Sequence, residues 1–224
     1  MIIHSLRTSK NNSMFKEYLL NALCWASEEK DMGVIISTGY YWENPGMHYT
    51  HKFSASKEPN QRGLSFMSIP LRCGSIPSEI SLYGCKGSKQ YFKDFKQSLV
   101  SYGYNIIRAK RKGNVHAKFF AIYKKRRGLR IPIFEIIGSS NLTNPAFGTH
   151  VKGLFNHETD LIIINDTSLQ TYLEKIIKGN NLDEIGDFIN TRLEYSDQNT
   201  ENLSERMLKF MNEFENLFNT AKNI

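Results

Sequence analysis

Short apolar runs alternate with segments of helical period along this chain, and few architectures accommodate that alternation. "GVIISTGYY", "EISLYGC", "YNIIRAK", "HAKFFAIY", "IFEIIGSSN" and "TDLIIIN" each read as a strand. Helices read between and after them. The first is capped by Ser13 and carries Phe15, Leu19, Leu20, Leu23 and Ala26 at helical spacing. "SKQYFKDFKQSLVSYG" puts Phe92, Phe95 and Leu99 on one side, with Gly103 near its end. "TSLQTYLEKIIKG" closes on Gly179. A last helix opens near Ser204 and bears Met207, Phe210, Met211, Phe214, Leu217 and Phe218. Strands that alternate with helices call for an α/β layered domain, a mixed β-sheet flanked by helices, plus a C-terminal helix. We expect the α/β body to span residues 1–190 and a helical extension to span 191–224. The Met/Phe stripe of the extension reads first as core or helix packing, and second as a dimer contact. From Trp42 to Pro77 the chain is rich in Gly, Pro, Ser, His and Asn and reads as loops, with one strand candidate at "LSFMSIPL".

Composition excludes several classes. The chain of 224 residues has an ordinary apolar share, enough for a core. No stretch approaches the ~18 apolar residues of a membrane span. "MIIHSLRTSKNNSMF" lacks a basic segment followed by a long apolar run, so no signal peptide is expected. Cys24, Cys73 and Cys85 are widely spaced and form no CxxC, which points to neither a zinc site nor a disulfide framework and fits a cytoplasmic setting. His48 and His51 lie in a loop without suitably placed carboxylates and read as surface residues, so no metal is expected.

The net charge is +7, and its distribution is uneven. Between Asn105 and Arg130 stand Arg108, Lys110, Arg111, Lys112, Lys118, Lys124, Lys125, Arg126, Arg127 and Arg130, with no Asp or Glu among them. These are ten of the 29 Lys and Arg, and the other 19 are outnumbered by 22 acidic residues. Clustered positive charge is the footprint of a polyanion binder, although a solvated basic loop would look the same.

Within that stretch, "HAK" places His116 and Lys118 two apart, on one side of a strand. Two further elements share its position at a strand end. "GSSN", Gly138 to Asn141, closes the strand "IFEII". "NHETD", Asn156 to Asp160, opens the strand "LIII". Their chemistry suits a phosphodiester. An imidazole can attack phosphorus or move a proton. A lysine ammonium is a compact charge for a phosphate oxygen. Gly138 permits close backbone approach. Ser139, Ser140 and Asn141 are neutral donors, and Glu158 can accept the Nδ1–H of a histidine.

"HAK", "GSSN" and "NHE", in that order, resemble the HxK…GSxN…NxE signature of the phospholipase D superfamily, over roughly residues 34–165. The resemblance implies a phospholipase D-like fold and a catalytic role for His116, Lys118, Ser139, Asn141 and Glu158. It implies a phosphohistidine on His116, with no cofactor or metal. One position departs from the pattern: Tyr123 stands where the fuller HxKxxxxD motif has an acid. That departure weighs against the lipid-cleaving and synthase branches more than against nucleases. The family builds its site from two HxK motifs, and this chain has one. The resemblance therefore implies a C2 homodimer with a composite active site.

Basic residues around the motif favour a nucleic acid over a lipid headgroup. We expect a metal-independent nuclease, acting on DNA in preference, of the restriction or defence type. Ser140, Lys110, Arg111, Lys112, Lys124, Lys125, Arg126, Arg127 and Arg130 would contact the nucleic acid. Tyr102, Tyr104 and Tyr123 could stack on bases, but core packing is the better use of them. Two alternatives stand beside this one: a phosphodiesterase of phospholipids or small diesters, and a nucleic-acid-binding subunit that no longer turns over.

Overall fold

A computed structural model describes residues 1–7, 14–39, 79–85, 89–101, 103–113, 117–141, 158–178, 189–193 and 200–219. The loops and strand candidate expected over 42–77 lie outside these residues, as do Ser13, Tyr102, His116, Asn156, His157 and Gly179. In chain order the described elements are β1 (Ile2–Arg7), α1 (Met14–Glu28), β2 (Met32–Thr38), β3 (Glu79–Cys85), α2 (Lys89–Ser101), β4 (Ile106–Lys112), β5 (Lys118–Arg126), β6 (Leu129–Gly138), β7 (Glu158–Ile164), α3 (Thr167–Lys178), β8 (Ile189–Leu193) and α4 (Thr200–Asn219).

The strands form one eight-stranded sheet in the order β4-β3-β2-β5-β6-β7-β1-β8. β2, β3 and β4 run parallel, and every pairing from β2–β5 to β1–β8 is antiparallel. The expected mixed sheet with flanking helices and a C-terminal helix is thus the fold. β1 and β8 are additions to the expected strands. "IIHSLR" and "INTRL" lack a long apolar run, and the pairing of β1 with β7 and with β8 is a non-local matter. Position 190, the expected end of the α/β body, falls inside β8.

Both faces of the sheet are covered, and the period-two alternation of the strands sorts their side chains. Phe120 and Ile122 of β5 join the core with α1, α2 and α3. Phe119, Ala121 and Tyr123 face the other way, onto Met211, Phe214 and Phe218 of α4. This two-sided burial explains why the central strands read as continuous apolar runs. Within the stripe of α4, Met207, Met211, Phe214 and Phe218 are buried, whereas Phe210 and Leu217 are exposed. Phe214 and Phe218 of α4 are core residues, in ring contact with Tyr83. Tyr104 and Tyr123 are buried, as packing required.

β5 and β6 form a hairpin whose turn, Arg127–Gly128, has positive φ at both positions (51° and 79°). That is the mirror-image turn whose twist matches a right-handed ribbon. The stretch "KKRRGLRIP" is therefore the closed end of this hairpin.

Candidate active site

Antiparallel pairing brings the start of β5, the end of β6 and the start of β7 to one end of the sheet. Lys118 pairs with Gly138, Gly138 with Asp160, and Asp160 with Ser5. Thr38, next to the Ser37–Phe119 pair, closes the end of β2 beside them. Alternation puts Lys118 on the face of Phe120, Gly138 on that of Ile136, and Asp160 on that of Ile162. Gly138–Asn141, Glu158 and Lys118 thus lie at one sheet end; Asn156 and His157 are outside the described residues. β5 begins at Lys118. His116 lies outside the described residues, so its orientation relative to Lys118 is not part of this geometry.

The segment after β6 is held by its own polar groups. Ser139 Oγ donates to Glu158 Oε2 and accepts from Thr159 N at 2.9 Å. Ser140 Oγ donates to Asp160 Oδ2 at 2.6 Å, and Ser140 N to Asp160 Oδ1 at 3.2 Å. Asn141 Oδ1 accepts from Thr38 Oγ1 at 3.0 Å and from Gly39 N at 3.1 Å. Those two donors fix which way round the amide sits. Ser37 Oγ donates to the carbonyl of Ala117 at 3.0 Å, which ties the end of β2 to the residue before β5.

Gly138 is a matter of space. A Cβ there would overlap the Asp160 carboxylate and the Thr159 carbonyl. The close approach anticipated for this glycine is real, and the approaching group is the chain's own β7.

Two carboxylates start β7 on one side of the strand, and they differ. Glu158, buried, meets Ser139. Burial pushes Asp160 up to about 6. Its bonds from Ser140 oppose that shift, and the charge of Glu158 adds to it. Sequence reasoning singles out neither Asp160 nor Thr38. The signal is present in both cases: an E-x-D spacing on a strand, and a Ser-Thr-Gly run closing one. Glu135, in the middle of β6 on the face that α4 covers, escapes it as well. Its Oε1 has no hydrogen-bond partner among the described residues, and burial pushes its carboxyl up to about 8.

The basic residues are scattered in space. Lys110, Arg111 and Lys112 end β4, in register with Tyr83, Gly84 and Cys85, at the same sheet end as Thr38. Lys124, Lys125, Arg126, Arg127 and Arg130 sit around the closed end of the β5–β6 hairpin, about 20–30 Å from Lys118 at ~3.3 Å per residue. Several are engaged. Arg130 donates to Glu215 (2.5 Å) and Asn212 (2.6 Å) of α4. Lys110 donates to Asn219 and Lys112 to the Leu217 carbonyl. Lys125 meets Glu79 at 3.0 Å, Lys124 meets Glu29 at 3.8 Å, and Arg111 lies over the Phe92 ring. Arg126 and Arg127 are exposed.

Cys24 is disulfide-bonded, contrary to the expectation from cysteine spacing, and Cys85 is a buried free thiol. Spacing could not reveal a single bridge, because pairing depends on where the fold puts two sulfurs. The cysteines therefore lend no support to a reducing compartment. Among the described residues no group of three or more His, Cys, Asp or Glu could hold a metal ion, and no helix is long and apolar enough to cross a membrane.

No protein-family model matches the chain, and no curated protein matches it. Among solved structures it is similar to the polyphosphate kinase of Porphyromonas gingivalis, with a TM-score of 0.41 and 14% identity. The match covers 82% of this chain and 26% of that one, so the chain spans about a quarter of that enzyme. A likeness this distant says nothing about which reaction the chain performs.

Proposed function

We propose that the chain is a metal-independent phosphodiesterase of the phospholipase D type that hydrolyses nucleic acid, DNA in preference, as a homodimer. One observation supports this proposal. Lys118, the segment Gly138–Asn141 and Glu158, the described residues of the three motifs, lie at one sheet end, where Ser139, Ser140 and Asn141 are held by Glu158, Asp160 and Thr38. In the proposed reaction, His116 Nε2 of one subunit attacks phosphorus as the P–O bond to the leaving group breaks. His116 of the second subunit gives that oxygen its proton. It then takes a proton from water, whose oxygen attacks phosphorus and releases the first imidazole. Lys118 and Asn141 stabilise the negative oxygens of the transition state. Glu158 and Ser139 hold the histidine side of the site. Two histidines on opposite sides of phosphorus need two chains, which is the reason for the dimer.

The deciding experiment is incubation of wild type and His116→Ala with plasmid, single-stranded DNA and RNA in excess EDTA, with sedimentation of the active species. The expected result is cleavage by a dimer of wild type only. Activity that requires added Mg²⁺, or survives in His116→Ala, overturns it.

A second reading has its own support. Lys110, Lys112, Lys125 and Arg130 already hold other parts of the chain, which thins the surface offered to a long polyanion. That favours a small diester or a phospholipid headgroup. Cleavage of bis(4-nitrophenyl) phosphate or liposomes without nuclease activity would select it. A subunit that only binds nucleic acid would retain DNA without cutting any of these substrates.

A further inference from the structure

Resting on the proposed phosphodiesterase, we propose that Asp160 is a positioning residue: its carboxylate clamps Ser140 by two bonds and thereby sets the Ser139–Asn141 segment against Lys118.

Three observations converge on this. Asp160 engages Ser140 at two points, its backbone N–H (3.2 Å) and its hydroxyl (2.6 Å), so the carboxylate fixes the orientation of the residue as well as its place. The absence of a side chain at Gly138 is what lets β6 lie this close, since a Cβ there would occupy the carboxylate's own position. Asp160 and Ser140 are both buried, at 4% and 1% exposure, so the bonds between them do not compete with bulk water. On the far side of the same segment, Thr38 and Gly39 hold Asn141 through its carbonyl oxygen. The segment is thus gripped at Ser140 by β7 and at Asn141 by the end of β2. Ser139, between Gly138 and Ser140, is left to meet Glu158. Two consecutive serines on two carboxylates divide the work. Asp160 holds Ser140, while Glu158 holds Ser139.

A carboxylate that only stabilised the fold would lower the melting temperature without changing turnover per folded molecule. A positioning carboxylate does more, because a displacement near 1 Å at a reacting centre costs about 10²-fold in rate. Asn is the informative replacement. Its carbonyl can still accept from Ser140 N–H, and its amide can donate to Ser140 Oγ.

The experiment compares wild type, Asp160→Ala and Asp160→Asn in two readouts. The first is kcat and KM on bis(4-nitrophenyl) phosphate in EDTA, normalised to folded protein. The second is amide hydrogen exchange of the peptide holding residues 138–141. For Asp160→Ala we expect kcat down by about 10²-fold with KM changed less than about threefold, and lost protection at Ser140. Asp160→Asn should restore most of both. Unchanged protection in Asp160→Ala, or full kcat per folded molecule, overturns the inference. If wild type cleaves no diester but protection is lost in Asp160→Ala and regained in Asp160→Asn, the clamp stands and the proposed function fails.

Discussion

The β5–β6 hairpin has two ends, and they use the same kinds of residue in opposite ways. At the open end, Ser139 and Ser140 meet Glu158 and Asp160, with Lys118, Gly138 and Asn141 beside them, in a buried or half-buried setting. Polar groups there are costly to bury unless paired, and each serine hydroxyl has a carboxylate. At the closed end, Lys124, Lys125, Arg126 and Arg127 are exposed around a tight turn. Their charges lie in water, where a pair such as Lys124–Glu29 at 3.8 Å contributes little. Charge density along the sequence peaks at the closed end, and buried side-chain bonds between polar groups gather at the open one.

The largest expected difference between the ends is in catalysis. Lys118→Ala should lower kcat for bis(4-nitrophenyl) phosphate by roughly 10²–10³-fold, the usual effect of losing one group that stabilises transition-state charge. Arg126→Gln with Arg127→Gln should leave that rate within about twofold. Equal losses at both ends would erase the distinction.

Between the ends lies Glu135, buried without a partner for Oε1 among the described residues. Its carboxyl is pushed up to about 8 by burial, from an ordinary value of 4.5. In that interval the folded state keeps a proton that the unfolded state has released. Stability therefore falls as pH rises, by up to about 1.4 kcal/mol per unit. Asp160, at about 6, adds the same sign of slope only at lower pH. Urea midpoints between pH 6.5 and 8 isolate Glu135: they should drop in wild type and stay level in Glu135→Gln. A parallel drop in both proteins would show that Glu135 is ionised in the fold.

The two glycines test the ends by stability. Gly138→Ala forces a Cβ into the Asp160 carboxylate and Thr159 backbone, an overpacking that costs about 1–3 kcal/mol or more. Gly128→Ala meets nothing within 4 Å and costs only its φ of +79°, about 1 kcal/mol. Denaturant titration of both variants gives the order, and a costlier Gly128→Ala would reverse it.

How much of this the sequence disclosed follows from what is local. Period-two alternation and helical stripes are local, so β2–β7 and all four helices were legible, down to Phe214 and Phe218 as core. That Lys118, Gly138 and Glu158 stand at strand ends was legible from where the apolar runs begin and stop. β1 and β8 were not, since six- and five-residue strands with mixed polarity declare themselves only through partners far along the chain. Asp160 and Thr38 were hidden for a related reason: a buried Asp reads as an exposed one until Ser140 is placed against it. The clamp of α4 on Arg130 was invisible too, because Glu215 lies 85 positions away.

That clamp makes the last prediction, the smallest in effect, the sharpest within the closed end. Arg130 and the pair Arg126–Arg127 are neighbours in sequence, and sequence alone gives them one role. In the fold they differ. Arg130 carries a bond to Glu215, which is 6% exposed, whereas Arg126 and Arg127 are exposed on the turn. Removing Arg130 leaves a buried carboxylate short of a partner, so Arg130→Gln should lower stability. Arg126→Gln with Arg127→Gln should leave stability within about 0.5 kcal/mol, as surface changes do. Binding should sort the other way. If duplex DNA reaches the turn, the double variant flattens the log–log dependence of affinity on salt by roughly 0.9 for each phosphate no longer neutralised. Anisotropy titrations of a labelled duplex at several salt concentrations, in the His116→Ala background to prevent cutting, measure that slope. An unchanged slope in Arg126→Gln/Arg127→Gln would remove the closed end from the nucleic-acid path and leave Lys110, Arg111 and Lys112, at the site end of β4, to carry it.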